Sequence, residues 1–404
     1  MSAFQAVKVS EHVLWVGAID WGLRDFHGYA TSRGTTYNAY LILSDPVTLV
    51  DTVKAAFKDE MLARISSAIE PSQIGRIISN HSEMDHSGAL PEIVSLLQPQ
   101  QVIASAQGKE ALARHFHWDR EVEVAQEGRA YDLGGGMRVR FVETPMLHWP
   151  DSMFTYLEDE AVLFSHDAFG MHLAGSARFV DGVAPEIWRL EAARYFANIL
   201  MPLSGIIVKQ LGRLAEAKLA PRIIAPDHGP IWRRRPENIV RLYSEWAKQA
   251  PTRKAVVVHD TMWQSTSRMA AAVGEGLAAG GLEVCQMPLS GAHRSDVATE
   301  LLEAGALLVG SPTINNQIYP TVADVLTYLK GLRPKNLLGA AFGSYGWSGQ
   351  AVALIEGELR EMKIELAAEG LRLPYVPDAA GLGRCRLLGE QVAAQLRERL
   401  TAEG

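Results

Sequence analysis

Short apolar runs separated by polar turns give this chain two successive rhythms. Over residues 7–222, runs at 12–17, 38–43, 46–53, 74–78 and 137–142 read as strands. The first are joined by short turns and the later ones separated by helices, such as 108–116, with a long helical stretch over 185–217. From Pro251 the pattern becomes strictly alternating. Strands at 254–258, 283–287, 306–309 and 337–342 interleave with helices reaching 277 and spanning 295–303, 319–329 and 349–362. The first rhythm predicts an αββα sandwich over residues 1–250. The second predicts a flavodoxin-like, doubly wound parallel sheet over 251–404.

The run that follows the strand at 74–78 is His81-Ser82-Glu83-Met84-Asp85-His86. Four metal-competent side chains stand within six positions, whereas capping a helix needs only one such residue. The spacing is close to the HxHxDH signature of the metallo-β-lactamase fold, with Glu83 where that signature has a second histidine. A carboxylate at that position hardens the site and favours iron or manganese over zinc. His148, Asp167 and His228 each follow a further apolar run, so each is expected to project from the same sheet rim into a binuclear centre.

Three loops of the second half fall at strand ends, where ligands bind in open α/β sheets. Thr261-Met262-Trp263-Gln264-Ser265-Thr266 opens a helix and offers hydroxyls and N–H groups to a phosphate. Ser311-Pro312-Thr313-Ile314-Asn315-Asn316 is the second loop. The third, Ser344-Tyr345-Gly346-Trp347-Ser348-Gly349, adds aromatic rings to stack on a flat cofactor and glycines for close approach. Together they point to flavin mononucleotide (FMN).

Composition narrows the remaining classes. A net charge of −7 and the lack of a long basic run argue against nucleic acid as a partner. Arg233-Arg234-Arg235 is short and reads as a solvated helix start. No secretory leader and no membrane-length apolar run is visible, so the expected location is cytoplasmic, with no membrane partner. Cys285 and Cys385 read as buried thiols. Two cysteines are too few for a rubredoxin-type iron centre or an iron–sulfur cluster within the chain, so such a partner would be external.

The pairing of a carboxylate-rich binuclear motif with flavin loops closely resembles the flavodiiron proteins, also called A-type flavoproteins, across essentially the whole chain. The resemblance implies two non-haem irons and one FMN. One iron would take His81, Glu83 and His148, the other Asp85, His86 and His228, and Asp167 would bridge them. It implies reduction of dioxygen to water, nitric oxide to nitrous oxide, or both, with electrons from rubredoxin or a similar small carrier. It also implies a head-to-tail homodimer, or a dimer of dimers, in the minimal two-domain class, with Trp149 and Trp347 as junction candidates. His259 departs from the family, standing where many members carry tyrosine. His27, Tyr29 and Trp149 are expected around the metals as pocket walls or supports. A binuclear zinc hydrolase with a flavodoxin-like accessory domain is the alternative, and Glu83 argues against it.

Overall fold

The computed structural model describes residues 3–217 and 219–402. Two compact units emerge, one of residues 1–195 and 205–244, the other of residues 196–204 and 245–404.

The first unit stacks two mixed sheets. One has seven strands in the order Val7–Lys8, Val13–Trp15, Tyr40–Ile42, Val47–Val50, Ile74–Ser79, Gln101–Ala104 and Glu123–Val124. The other has five, running Ala130–Gly134, Met137–Glu143, Met153–Leu157, Val162–Phe164 and Ile223–Ala225. Strand side chains alternate between faces, and the sequence uses both faces as core. Tyr40, Ile42, Val50, Ile78 and Ile103 point into the space between the sheets, meeting Val139, Phe141, Leu157, Val162 and Phe164. Their neighbours Leu41, Leu49, Ile77 and Val102 point outward and are covered by helix residues Met61, Ile65, Ile93 and Leu112. This double burial explains why the strands read as continuous apolar runs.

The second unit is built on a parallel sheet ordered Glu283–Pro288, Lys254–His259, Ala306–Gly310, Leu338–Tyr345 and Glu365–Leu366, with Leu371–Pro374 also pairing with Leu338–Tyr345. The strand order reverses at Lys254–His259, so the crevice at its carboxyl end is the natural ligand position. A C-terminal helix, Ala379–Ala402, packs against Ser265–Ala279 through facing glycines. A Cβ on Gly389 would lie 2.2 Å from the Val273 carbonyl oxygen, so the two helices touch backbone to backbone.

Three local expectations are corrected. The stretch at 185–217 is not one helix: Pro185–Tyr195 passes into a π-turn at Phe196–Leu200 and a 3-10 turn at Met201–Leu203 before Ser204–Glu216. Pro202 lacks an N–H and its ring opposes the carbonyl four residues earlier, which breaks a helix. The arginine run precedes a helix that begins only at Glu237, and Arg233 pairs with Asp181 at 2.8 Å. Cys385 is buried, but Cys285 is only half-buried because its strand forms a sheet edge. Among the described residues no helix is long and apolar enough to cross a membrane.

Candidate metal centre and flavin site

The metal motif divides itself by backbone conformation. Ser82 and Glu83 leave the strand Ile74–Ser79 in extended form, with Glu83 at φ −59° and ψ 144°. In an extended chain, residues two apart face the same way, so His81 and Glu83 converge. A single helical turn, Met84–Ser87, then swings Asp85 and His86 to a second point. The Ser87 hydroxyl locks this change of direction by donating to the carbonyls of Ser82 (2.7 Å) and Glu83 (3.0 Å).

Later strand ends complete two clusters. His81, Glu83, His148 and Asp167 place ligand atoms within 4.8 Å of one another, and so do Asp85, His86 and His228. Asp167 faces both. Its Oδ2 is 2.9 Å from His148 Nε2 and 3.3 Å from His81 Nε2. Its Oδ1 is 3.1 Å from His86 Nε2 and 3.4 Å from His228 Nε2. Glu83 Oε2 closes the first cluster at 3.2 Å from His81 and 3.3 Å from His148, and Asp85 Oδ2 closes the second at 3.2 Å from His228. All seven residues that the sequence singled out are therefore brought together.

The arrangement is costly unless cations complete it. Both oxygens of Asp85, both ring nitrogens of His86 and Oδ1 of Asp167 are buried without a hydrogen bond. Orphaned buried groups of this kind are rare in folded proteins. Burial alone would lower the imidazole pKa values, yet the surrounding carboxylates raise those of His81, His148 and His228, and push His86 up to about 9. Burial likewise works against ionised Asp167, but His86 and the hydrogen bonds from His148 and His81 hold it well below the usual range. The carboxylates thus demand positive charge at two points. A cation at each cluster would supply that charge and give the orphaned carboxylate oxygens and His86 Nε2 a partner, and a hard O/N donor set suits iron.

Supporting residues that the sequence did not flag surround the ligands. Asp151 Oδ2 sits 3.2 Å from His81 Nδ1 and accepts the Ser82 N–H at 2.6 Å. His81 favours the proton, and in return the Asp151 carboxyl is lowered to about 2 despite its burial. Asp51 receives the backbone and side-chain N–H groups of Asn80, whose Oδ1 takes the Thr155 hydroxyl, tying strand ends of both sheets together. Asp227 Oδ2 approaches His86 Nδ1 at 3.6 Å. His228 Nδ1 donates to the Thr36 carbonyl at 2.7 Å. Asp151 and Asp227 stand close in sequence to ligands, which was the only available signal. His172 and Thr35 carried none.

The three expected supports separate. His27 Nε2 is 3.2 Å from Glu83 Oε1, though its ring is mostly exposed. Trp149 presents its indole edge-on to His81, with ring centroids 5.2 Å apart. Tyr29 is buried one layer out, 5.4 Å from the His172 ring.

In the second unit, a cavity of about 660 Å³ opens at the strand ends. Met262, Trp263 and Ser265, then Pro312, Thr313, Asn315 and Asn316, then Ser344, Tyr345, Gly346, Trp347 and Ser348 line it. Trp263 and Trp347 are 87% and 91% exposed, so their faces are available to a planar ring. The helix Ser265–Ala279 begins without a side-chain cap, leaving its first N–H groups for an anion. A Cβ on Gly346 would meet nothing nearer than Tyr375 Cε1 at 3.8 Å, so the floor there is open. The other loop residues act behind the lining. Thr266 bonds Ser344 at 2.9 Å, Ser311 accepts the Tyr319 N–H at 2.9 Å, and Gly349 packs on the Tyr345 ring. Thr261 donates its N–H to Asp260, Gln264 takes a left-handed φ of 66° before the helix, and Ile314 pairs with Gln317 in a small hairpin. His259 is buried at the adjoining strand end. Tyr375 and Val376, on a fourth loop, also line the cavity. A planar aromatic cofactor with a phosphate tail fits this lining.

Sequence and fold comparisons agree with this geometry. Residues 35–229 match the ODP family beta lactamase and residues 257–387 match flavodoxin. The chain is 46% identical over 398 residues to a nitric oxide reductase from Moorella thermoacetica, covering 98% of this chain and all of that one. A rubredoxin oxygen:oxidoreductase structure from Desulfovibrio gigas superposes with a TM-score of 0.96 at 41% identity, over 98% of this chain and 100% of that one. The flavodiiron protein of Giardia intestinalis gives a TM-score of 0.95 at 30% identity, over 98% of both chains. The chain belongs to the flavodiiron proteins. The cofactors of that family, FMN and a non-haem diiron centre, are those that the two sites fit. The fold expectation of a metallo-β-lactamase-like unit followed by a flavodoxin-like one is borne out.

Proposed function

We propose that this flavodiiron protein reduces dioxygen to water, nitric oxide to nitrous oxide, or both. The position of Asp167 carries the reading, with one oxygen toward each ligand cluster. His81, Glu83 and His148 would hold one iron, Asp85, His86 and His228 the other, and the lining of the large cavity would hold FMN. When bound, two ferrous ions and a reduced flavin supply four electrons, the number dioxygen needs to become two waters; coupling two nitric oxide molecules takes two. The protein's own part is to fix the ligands at short range, keep the site nearly closed to bulk water and provide hard donors that tolerate ferric iron after turnover. His27 links Glu83 to the protein surface, its Nε2 3.2 Å from Glu83 Oε1 and its ring exposed to solvent.

Electrons would come from rubredoxin or a similar small carrier docking on the exposed aromatic rim of the flavin cavity. The working assembly would be a head-to-tail dimer, alone or paired into a tetramer, in which one chain's flavin meets the other chain's irons, with Trp149 and Trp347 at the junction. Closed two-fold dimers are the commonest oligomers, and direct electron transfer needs near contact. A cytoplasmic location and a functional division into residues 1–250 and 251–404 complete the proposal.

The test is stopped-flow oxidation of the fully reduced, iron- and FMN-loaded protein by each gas. Fast oxidation by at least one, with water or nitrous oxide as product, is expected. Zinc in place of iron, or hydrolytic activity alone, would overturn the reading. Asp167→Ala should lose iron and keep FMN; full iron and full activity in that variant would overturn the bridging role.

A further inference from the structure

The second ligand cluster is braced differently from the first. His81 of the first cluster leans on the carboxylate of Asp151. His228 of the second has no carboxylate on its outer nitrogen. Its Nδ1 meets the Thr36 carbonyl at 2.7 Å and the Thr35 hydroxyl at 3.2 Å. The same Thr35 hydroxyl lies 2.9 Å from Nδ1 of His172.

These distances fix the tautomer of His228. The Thr36 carbonyl can only accept, so His228 carries its proton on Nδ1 and leaves Nε2 free to bind metal. Thr35 Oγ1, lying off the same N–H, is then an acceptor toward His228 and has its own proton to give. Within its reach are His172 Nδ1 at 2.9 Å and the Thr36 carbonyl at 3.2 Å. Through Thr35 Oγ1, the Nδ1–H of His228 is thus linked to Nδ1 of His172, whose Nε2 is buried without a hydrogen-bond partner.

His172 cannot swing away from this role. It is fully buried, and its ring is clamped among Phe26, Tyr195, Tyr29 and His228 at centroid distances of 4.9, 5.2, 5.4 and 4.5 Å. Its segment is also sewn to the turn that carries His228, because the Met171 N–H donates to the His228 carbonyl at 3.3 Å. A Cβ on Gly170 would come within 2.9 Å of that same carbonyl oxygen, so the approach is as close as a backbone allows.

We infer that His172 is a positioning residue for the second metal position: by holding the Thr35 hydroxyl, it fixes the ring orientation of the ligand His228, whose tautomer the Thr36 carbonyl sets. The inference rests on the reading of Asp85, His86 and His228 as one iron's ligands. His172 itself touches no metal. Outer partners of metal-binding histidines are worth about 10–100-fold in metal affinity, and loss of this one should fall on a single metal position.

The experiment uses the full chain with FMN bound, stripped of metal by a chelator and titrated anaerobically with ferrous iron in a calorimeter. Three variants are compared with the parent: His172→Phe, which keeps the ring and removes the nitrogen; His172→Asn, whose amide oxygen can stand in for Nδ1; and Thr35→Val. His172→Phe and Thr35→Val should each weaken one of the two iron equivalents by about 10-fold or more and leave the other unchanged. The double variant should be no weaker than either single one, because both break the same chain. His172→Asn should restore the affinity. Mössbauer spectra of iron-57-loaded His172→Phe, taken at iron concentrations that fill both positions, should show a change in one of two ferrous signals.

Equal weakening of both equivalents, additive losses in the double variant, or unchanged binding in His172→Phe would each overturn the inference. If His172→Phe does not fold, Thr35→Val and its spectra decide alone. Failure of the parent protein to bind two irons would instead overturn the ligand assignment, which keeps the two failures apart.

Discussion

Asp151 braces His81 at the back of the metal centre, with Oδ2 of one 3.2 Å from Nδ1 of the other. The ligand nitrogen of His81 is thereby turned inward and made more basic. Asp151→Asn keeps the shape and removes the charge. Iron affinity at the first position should fall by about 10–100-fold, with FMN content unchanged. Iron and flavin analysis of the purified variant checks this. Undiminished iron would show that the carboxylate only anchors the Ser82 N–H.

Metal uptake should depend on pH in a defined direction. Burial opposes a charged His86, but Asp85 and Asp167 outweigh it and hold its proton up to about pH 9. A histidine must lose that proton to bind metal. Iron affinity of stripped protein should therefore rise with pH through the range in which His86 gives up its proton, about 9. It should fall by about tenfold per pH unit, for each proton displaced, on the acid side. Calorimetric titrations between pH 6 and 9.5, run in buffers of different ionisation enthalpy, would count the protons released. A flat profile would contradict the charge balance described above.

The flavin loop can be tested without touching the metals. Thr266→Ala with Ser265→Ala removes the Thr266–Ser344 hydrogen bond and two hydroxyls at an uncapped helix start. Hydrogen bonds to a charged group contribute roughly 1.5–3 kcal/mol each, so FMN should dissociate far more readily. Fluorescence of released flavin measures this, and iron should stay. Loss of both cofactors at once would mean that the two units depend on each other to fold.

The helix crossing behind that loop gives a stability prediction. Gly389→Ala puts a methyl group 2.2 Å from the Val273 carbonyl oxygen, which can be relieved only by separating the helices. One of the two, Ser265–Ala279, has its first turn at the flavin cavity. Overpacking of this kind costs about 1–3 kcal/mol. Thermal unfolding should show a lower midpoint together with weaker FMN retention. An exposed control, Gly357→Ala, has open space at its Cβ and should lose neither.

Legibility in the sequence followed chain proximity and strand rhythm. The His81–His86 cluster could be read because its donors share one short segment, and His148, Asp167 and His228 because each ends an apolar run. The cofactor-cavity loops were visible for the same reason. Asp151 shows only its closeness to His148, and His172 and Thr35 show nothing, since a buried histidine or threonine has no local pattern and acquires a role only through a partner far along the chain. His172 and Thr35 are 137 positions apart. Tyr375 was missed because the strand before it, Leu371–Pro374, has only four residues and a half-exposed pattern. The helix break at 196–203 lies within a run of apolar residues that continues the helical rhythm on both sides, and Pro202 is its one local mark.

That break also governs how the chain can be cut. Residues 196–204 belong with the second compact unit although they lie deep within the sequence of the first. Tyr328 donates to Asn198 Oδ1 at 2.7 Å, and Asn198 donates to the Ser295 carbonyl at 3.2 Å. Cleavage near residue 250 would strand this segment away from those partners. The two units are thus interleaved in the gene product, not strung in series. Swapping the flavin-binding half for a relative's, or expressing it alone, therefore calls for a grafted or circularly permuted design that carries 196–204 along with 245–404.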